Sequence, residues 1–165
     1  MNEVTPNIIE RHCLDKSNFP EGQWTKEPDH VEWFDEKTGY PCVVVRYPFT
    51  GHLCGYVGID QDHRFYGKDF YEINSDKTCK KEPLDVHGGV NYAASGSEFI
   101  YHSRVDNDKL WWLGFDCSRI GDLYPSILQY PPTLMRLYQD SKYRTVTYVM
   151  MECKNLSEQL LKKRQ

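Results

Sequence analysis

The stretch that decides the fold is "TVTYVMMECKNLSEQLLKK", residues 145–163. Its apolar side chains recur at steps of three and four residues, which is the period of an amphipathic α-helix. A helix with one apolar stripe needs one apolar surface to cover. We therefore predict a long C-terminal helix that packs on a sheet, through Val146, Val149 or Met150, Cys153, Leu156 and Leu160.

The sheet is predicted from apolar runs that precede this helix. Residues 31–34 and 43–45 flank the turn signal "DEKTG", which favours an antiparallel hairpin. The valines of residues 43–45 do not alternate with polar residues, so the second strand should be buried on both faces. "GHLCGYVGI", residues 51–59, predicts a third strand whose glycines either kink it or admit another backbone.

Further β character is found in "HGGVNYAAS", "EFIYHSRV" and "KLWWLGFD", with the turn signal "DNDK" between the last two. These segments predict a continued antiparallel meander. The fold class is therefore α+β, an antiparallel β-sheet of five or six strands packed by a long C-terminal amphipathic helix.

The length of 165 residues fits one domain, which buries roughly 70% of its unfolded surface. No repeat and no Gly/Ser/Pro-rich linker divides the chain. We predict a single domain over 1–165, with an N-terminal arm at 1–28, a mainly β part at 29–130 containing a long loop at 60–85, and a C-terminal helical region at 133–165.

Charge and composition exclude several classes of partner. A net charge of −4 provides no basic footprint for duplex nucleic acid or an anionic membrane. The chain has no export signal and no apolar run near the ~20 residues that span a bilayer, so we expect a cytoplasmic protein. Its six cysteines are scattered, with no zinc-binding spacing. Reduced thiols, no metal and no cofactor are expected.

Two glycine-containing motifs could carry chemistry: "VHGGVNYA", residues 86–93, and "WWLGFDCSRIGDLYP", residues 111–125. Glycine adopts positive φ and lets backbone amides approach a ligand. Paired glycines followed by Asn or Tyr can form an amide nest for an anion. Aromatic residues, 14% of the chain, suit a pocket as well as a core.

These motifs, together with the terminal "YRTVTYVMMECKNLSEQL", resemble a family of small, largely uncharacterised bacteriophage proteins with HGG and GFDC…GD motifs. The resemblance covers residues 31–160. It implies an anti-defence role in the cytoplasm of an infected bacterium, where such proteins sequester or destroy nucleotide signals. It also implies a possible homo-oligomer, a sponge with pockets completed across subunits.

The chain departs from that family at one place. Members often have a His-Ala pair between the Cys and the Gly-Asp, where this chain has Arg119 and Ile120. If the family histidine is a metal ligand or proton carrier, arginine replaces it in neither role. A guanidinium instead suits phosphate or carboxylate.

The first hypothesis is binding of a small anionic, nucleotide-like ligand, such as a cyclic or ADP-ribose-type nucleotide. Glycine amides and an arginine, joined by Arg46 or Arg144, would hold phosphates. Trp111 or Trp112 and a tyrosine would stack on a base, and carboxylates would accept hydrogen bonds from ribose or base. The predicted ligand-binding residues are His87, Gly88, Gly89, Asn91, Tyr92, Trp112, Asp116, Arg119 and Asp122.

Two alternatives remain open. A hydrolase or lyase would use His87 as general base with Asp116 and Asp122 as carboxylate partners. An inhibitor of a host protein would instead use the aromatic residues of the 60–85 loop: Phe65, Tyr66, Phe70 and Tyr71.

The candidate residues also have purely structural interpretations. His87 can cap a turn, and Asp116 and Asp122 can accept turn hydrogen bonds. Trp111 and Trp112 should face opposite sides of a strand, so that at most one lines a pocket.

Overall fold

The computed structural model describes residues 7–165, so the first six residues of the predicted N-terminal arm lie outside the described part. Its main sheet has six antiparallel strands: β1 (Ile9–Arg11), β2 (His30–Phe34), β3 (Pro41–Arg46), β4 (Leu53–Ile59), β5 (Tyr92–Ser95) and β6 (Trp111–Asp116). Their order in the sheet is β1-β2-β3-β4-β6-β5.

The described residues also form four α-helices, a small second sheet and four short 3₁₀ helices. The α-helices are α1 (Phe70–Ser75), α2 (Lys77–Lys81), α3 (Pro132–Met135) and α4 (Val146–Lys162). The second sheet is a parallel pair, β7 (Asp122–Leu123) with β8 (Lys142–Tyr143). The predicted α+β class, with its antiparallel sheet and long C-terminal helix, is confirmed. Within residues 7–165 no helix has the length and apolar character needed to cross a membrane.

The predicted hairpin is formed by β2 and β3, with Val31 opposite Val44. All six residues of β3 are buried, as the unbroken valine run predicted. One face packs beneath α4, and the other contributes Val43 and Val45 to a second apolar cluster. The sheet is therefore a central layer with a core on each side.

Helix α4 lies close to β4 because of a glycine. A Cβ at Gly55 would be 2.5 Å from Cζ of Phe115 and 2.7 Å from Sγ of Cys153 on the helix. The missing side chain of Gly55 therefore leaves room for the Phe115 ring of β6 and for Cys153 of α4. Val149, Cys153, Leu156 and Leu160 are completely buried, which confirms the predicted stripe.

The opposite face of the sheet is covered by residues 97–110. We predicted a strand at "EFIYHSRV", but this segment is irregular, and β5 pairs directly with β6. The side chain of Asn107 accepts from the His102 amide at 3.0 Å and donates to its carbonyl at 2.9 Å. A side chain thus replaces the neighbouring strand that would have satisfied this backbone.

The predicted 60–85 loop contains α1 and α2. Phe65 and Ile73 are completely buried and Cys79 is nearly so, whereas Tyr71 is 70% exposed. The segment therefore packs against the core under α4, with most of its apolar surface turned inward.

The described part of the N-terminal arm also contributes to the fold. It supplies the edge strand β1 and the buried Trp24. Nearby, Arg46 is buried and donates to Oδ1 of Asp29 at 3.0 Å and to the Tyr143 hydroxyl at 2.9 Å. The Arg46 guanidinium therefore binds buried groups of the protein, and it is not accessible to the phosphates that the sequence suggested for it.

Candidate functional site

A cavity of about 410 Å³ opens on the face of the sheet opposite α4. We call it the aromatic cleft, because most of its wall is ring surface and its polar groups are few. It is lined by Tyr47, His52, Cys54, Tyr56, Asn91, Tyr92, Phe99, Phe115, Asp116 and Ser118.

The strand register builds the inner wall of the cleft. Gly114 of β6 lies opposite Tyr56 on one side and Tyr92 on the other. A Cβ at Gly114 would overlap the Tyr56 ring. The glycine of "WWLGFD" therefore makes room for the Tyr56 ring, which meets the Tyr92 ring edge to face at 5.4 Å.

The outer wall comes from the turn before β4 and from the segment that covers the sheet. The Tyr47 ring stacks on His52 at 5.3 Å and meets Phe99 edge-on at 5.9 Å. Tyr47 is 38% exposed, so part of this residue remains accessible to solvent.

A carboxylate and an amide form the polar end of the cleft. Asn91 Nδ2 donates to Oδ2 of Asp116 at 2.6 Å. Ser118 donates to Oδ1 of Asp116 through its hydroxyl at 2.8 Å and its amide at 3.1 Å. These hydrogen bonds fix the orientation of the Asp116 carboxylate at the end of β6 and hold the Asn91 amide beside it.

The protonation states of these groups follow from burial and hydrogen bonding. Burial by itself raises the pKa of Asp116. The hydrogen bonds from Ser118 and Asn91 together lower it by more than burial raises it, so the pKa is below its usual value. Burial lowers the pKa of His52, and the charges of Asp116 and Asp122, which raise it, only partly offset this effect. Burial also raises the pKa of Tyr92. At neutral pH Asp116 therefore carries a negative charge in the cleft.

A second constellation, which we call the His87 network, comprises His87, Asp122, Tyr148, Arg144 and Glu152. His87 Nε2 lies 2.8 Å from Oδ2 of Asp122, and His87 Nδ1 lies 2.8 Å from the Tyr148 hydroxyl. Arg144 Nε donates to Oδ1 of Asp122 at 2.9 Å. Glu152 accepts from the His87 backbone amide at 3.1 Å. Both ring nitrogens of His87 thus have partners.

Local structure explains how these side chains meet. Asp122 is completely buried at the start of β7, where the turn from Arg119 places it after Gly121 with φ of 91°. Thr145 caps α4 by accepting from the amide of Tyr148 at 3.2 Å, which puts Tyr148 in the first turn of the helix. Arg144 immediately precedes the cap, with its guanidinium 5.1 Å from the centre of the Tyr148 ring.

The "HGG" motif is a tight turn that presents His87 to this network. The Gly89 amide donates to the Val86 carbonyl at 2.8 Å, and Gly88 has φ of 67°. This amide is therefore used within the turn. A Cβ at Gly88 would lie 3.0 Å from Cγ of Arg119, so this glycine makes room for the arginine.

Arg119 joins the two constellations. Its amide donates to Oδ2 of Asp122 at 2.9 Å, while its Nε lies 3.4 Å from Oδ1 of Asp116. The side chain is 41% exposed. A guanidinium with open surface therefore stands between the polar end of the aromatic cleft and the His87 turn.

The nine predicted ligand-binding residues fall into separate places. Three line the cleft: Asn91, Tyr92 and Asp116. His87 and Asp122 pair in the His87 network, and Arg119 packs on the turn of Gly88 and Gly89. Trp112 is completely buried between β4 and β5, so it offers no stacking surface, and Trp111 faces the α4 side as alternation predicted.

Of the two carboxylates predicted to accompany His87, Asp122 contacts it, whereas Asp116 lines the cleft. Sequence reasoning missed Tyr148 and Glu152, which lie beside the apolar stripe of α4 and carry no motif. It also missed the wall of the cleft. The only available signal was the ring-rich turn "YPFTGH" before β4, which supplies Tyr47 and His52.

Among residues 7–165 there is no group of three or more His, Cys, Asp or Glu side chains arranged to hold a metal ion. Comparison of the chain with profiles of known protein families, with curated proteins and with solved structures found no match.

Proposed function

We propose that the protein binds a small nucleotide-like ligand, with the base in the aromatic cleft and a phosphate at Arg119. The observation that carries the proposal is the cleft itself. It combines the Tyr56 and Tyr92 rings with the hydrogen-bonded pair of Asn91 and Asp116 at one end. Stacking surface plus a few convergent polar groups is the usual composition of a small-molecule site.

The charges divide the ligand between two places. Asp116 is ionised at neutral pH, so its carboxylate attracts a base edge that bears N–H groups. The Arg119 guanidinium has its Nε 3.4 Å from Asp116 Oδ1 and is 41% exposed, so its exposed side suits a phosphate. The ligand is thus a planar, donor-bearing ring linked to an anion.

The resemblance to small bacteriophage proteins supports a biological setting for this site. In that setting the ligand is a nucleotide signal of a bacterial immune system, and the protein acts in the host cytoplasm by sequestering it. The expected homo-oligomer would follow from a sponge-like role, and sedimentation of the purified protein with and without ligand measures it.

The direct test is retention of nucleotides by the purified protein. The protein is dialysed against ATP, cyclic AMP, cyclic GMP and ADP-ribose, then denatured, and the released material is chromatographed. We expect one of these to be retained intact in stoichiometric amount. Retention of none of them contradicts the proposal and favours the alternative in which the protein blocks a host protein.

Tyr92→Ala tests the location of the ligand. Loss of one stacking ring should weaken binding by about 5- to 150-fold, because base–aromatic stacking is worth roughly 1–3 kcal/mol. Tyr71→Ala is the matched control, since Tyr71 is 70% exposed on α1. Equal affinities of the two variants in equilibrium dialysis would place the ligand elsewhere.

A second candidate function is hydrolysis of the bound nucleotide, with His87 as general base. The observation favouring it is the 2.8 Å contact between His87 Nε2 and the buried Asp122 carboxylate. Asp116 is not a partner of His87 and is assigned to binding. Chromatography distinguishes the two functions, because turnover releases product in place of intact ligand.

A further inference from the structure

We propose that Tyr148 is a nucleophile, activated by His87 and Asp122, that attacks the phosphorus of a phosphodiester or phosphoanhydride. The proposal deepens the second candidate function and rests, for its natural substrate, on the nucleotide binding proposed above. It assigns a reacting group to a helix residue that lies outside both glycine motifs.

The tautomer of His87 follows from its partners. Asp122 accepts from Arg144 at 2.9 Å and from the Arg119 amide at 2.9 Å, so its carboxylate acts as an acceptor. His87 Nε2 must then carry the proton directed at Oδ2. In the neutral ring Nδ1 is an acceptor, and the hydroxyl of Tyr148, 2.8 Å away, donates to it.

This order of groups is the arrangement of an activated nucleophile: a hydroxyl on a base, and the base oriented by a buried carboxylate. Asp122 is completely buried, whereas the His87 and Arg144 side chains are 12% and 26% exposed. The network therefore runs from the interior toward solvent and ends at the partly exposed Tyr148. Burial and the neighbouring charge of Glu152 raise the pKa of Tyr148, so the phenol keeps its proton until a base removes it.

Two cationic groups make a phosphorus centre the suitable target. The Arg144 guanidinium lies over the Tyr148 ring, and Arg119 lies on the adjoining turn next to Gly88. Guanidinium groups stabilise the charge that develops on non-bridging phosphate oxygens. A ligand with its base in the cleft and its phosphate at Arg119 would approach this network.

The reaction has two balanced steps. Tyr148 Oη forms a bond to phosphorus while the phenol proton moves to His87 Nδ1, and the bond from phosphorus to the leaving oxygen breaks. That oxygen leaves as an alkoxide, which takes the proton from His87 Nδ1, or as a stable anion, in which case His87 Nδ1 releases the proton to bulk water before the second step. Water then attacks the tyrosyl ester and gives its proton to His87 Nδ1, and His87 returns a proton to Oη as the ester bond breaks.

The test uses the p-nitrophenyl ester of thymidine 5′-monophosphate as probe. Attack by Tyr148 releases p-nitrophenolate, measured by absorbance, and leaves a thymidylyl group on the protein, measured by intact mass after rapid acid quench. We expect the wild-type protein to show both signals. Peptide mapping should place the added mass on Tyr148.

Tyr148→Phe keeps the ring over which Arg144 lies and removes only the hydroxyl. We expect it to form no adduct and to release p-nitrophenolate about 100-fold or more slowly, the order that a positioned proton-transfer pair contributes. Tyr71→Phe is the matched control and should behave as wild type. The midpoint of thermal unfolding of each variant verifies that it is folded.

The outcomes separate this inference from the proposed function. Wild-type rates in a folded Tyr148→Phe variant, or no reaction of the wild-type protein with the probe, overturn the nucleophile assignment. Nucleotide retention that depends on Tyr92 would still stand in either case. Conversely, a Tyr148 adduct without any nucleotide retention would support the nucleophile and reject the cleft as the nucleotide site.

Discussion

At the residue scale, three glycines of the two motifs have different physical duties. Gly114 makes room for the Tyr56 ring of the aromatic cleft, and Gly88 makes room for the side chain of Arg119. Gly89 closes the turn that presents His87. The motif glycines therefore act by leaving space for side chains and by allowing a tight turn.

Gly88→Ala separates these duties. Alanine at φ of 67° should lower the free energy of unfolding by roughly 1–2 kcal/mol, and its Cβ should displace Arg119. Gly67→Ala, at φ of 77° with nothing within 4 Å of the added Cβ, should show the same backbone cost alone. Urea unfolding measures the stability of both variants.

Equilibrium dialysis with the nucleotide that the wild-type protein retains then measures affinity. We expect only Gly88→Ala to bind it more weakly. If the two alanine variants bind equally well, the position of Arg119 does not matter for binding.

At the element scale, helix α4 has two functions on two parts of its surface. Its apolar stripe packs on β4 and β3, while its first turns place Tyr148 and Glu152 against His87. A rigidly packed helix holds a reacting side chain more precisely than a loop does. The stability of α4 and the geometry of the His87 network are therefore linked.

Leu156→Ala tests the packing of this element. Leu156 is completely buried, so its truncation should cost about 2–5 kcal/mol of unfolding free energy, from lost transfer energy and the cavity left behind. Leu161→Ala, at a position that is 41% exposed, should cost much less. Chemical denaturation provides both values. Similar costs would mean that α4 is not docked through this stripe.

At the scale of the whole molecule, buried charges connect segments that are distant in the chain. Glu32 of β2 is completely buried and accepts from Arg11 of β1 at 3.1 Å and from the Ser103 amide at 3.0 Å. His30 Nε2 lies 3.2 Å from the same carboxylate. One side chain thus ties the N-terminal edge strand to the segment that covers the sheet.

Glu32 should make the fold acid-sensitive. Burial by itself raises the pKa of Glu32. Hydrogen bonds, chiefly from Ser103 and Arg11, outweigh this effect and lower the pKa to about 2. Because the folded pKa is below the unfolded one, the carboxylate stabilises the fold at pH values above about 4.5, and this contribution is lost as the pH falls toward about 2.

The variant Glu32→Gln isolates this effect. At pH 7 it should lower the free energy of unfolding by about 3 kcal/mol, and the difference from wild type should shrink below pH about 4.5. Glu98→Gln, at an exposed position, is the control. Urea denaturation over a series of pH values measures the difference. A difference that does not change with pH would contradict the assignment to charge.

The sequence by itself determined the elements whose pattern is local. The period of α4 and the unbroken valines of β3 follow from which side chains must be buried. The irregular segment at "EFIYHSRV" could not be predicted this way, because side chains, such as Asn107 at His102, and not a neighbouring strand, bond its backbone. Likewise, short helices replace the predicted loop at residues 60–85.

The candidate site was decided mainly by tertiary structure. The glycine motifs pointed to His87, Asp116 and Asp122, and spacing alone could not distribute them between two constellations. That distribution depends on strand register, which puts Tyr56 and Tyr92 across Gly114, and on the docking of α4, which brings Tyr148 to His87. Hydrogen bonds and ring contacts act over a few ångströms, so residues far apart in the chain become partners only when the fold is complete.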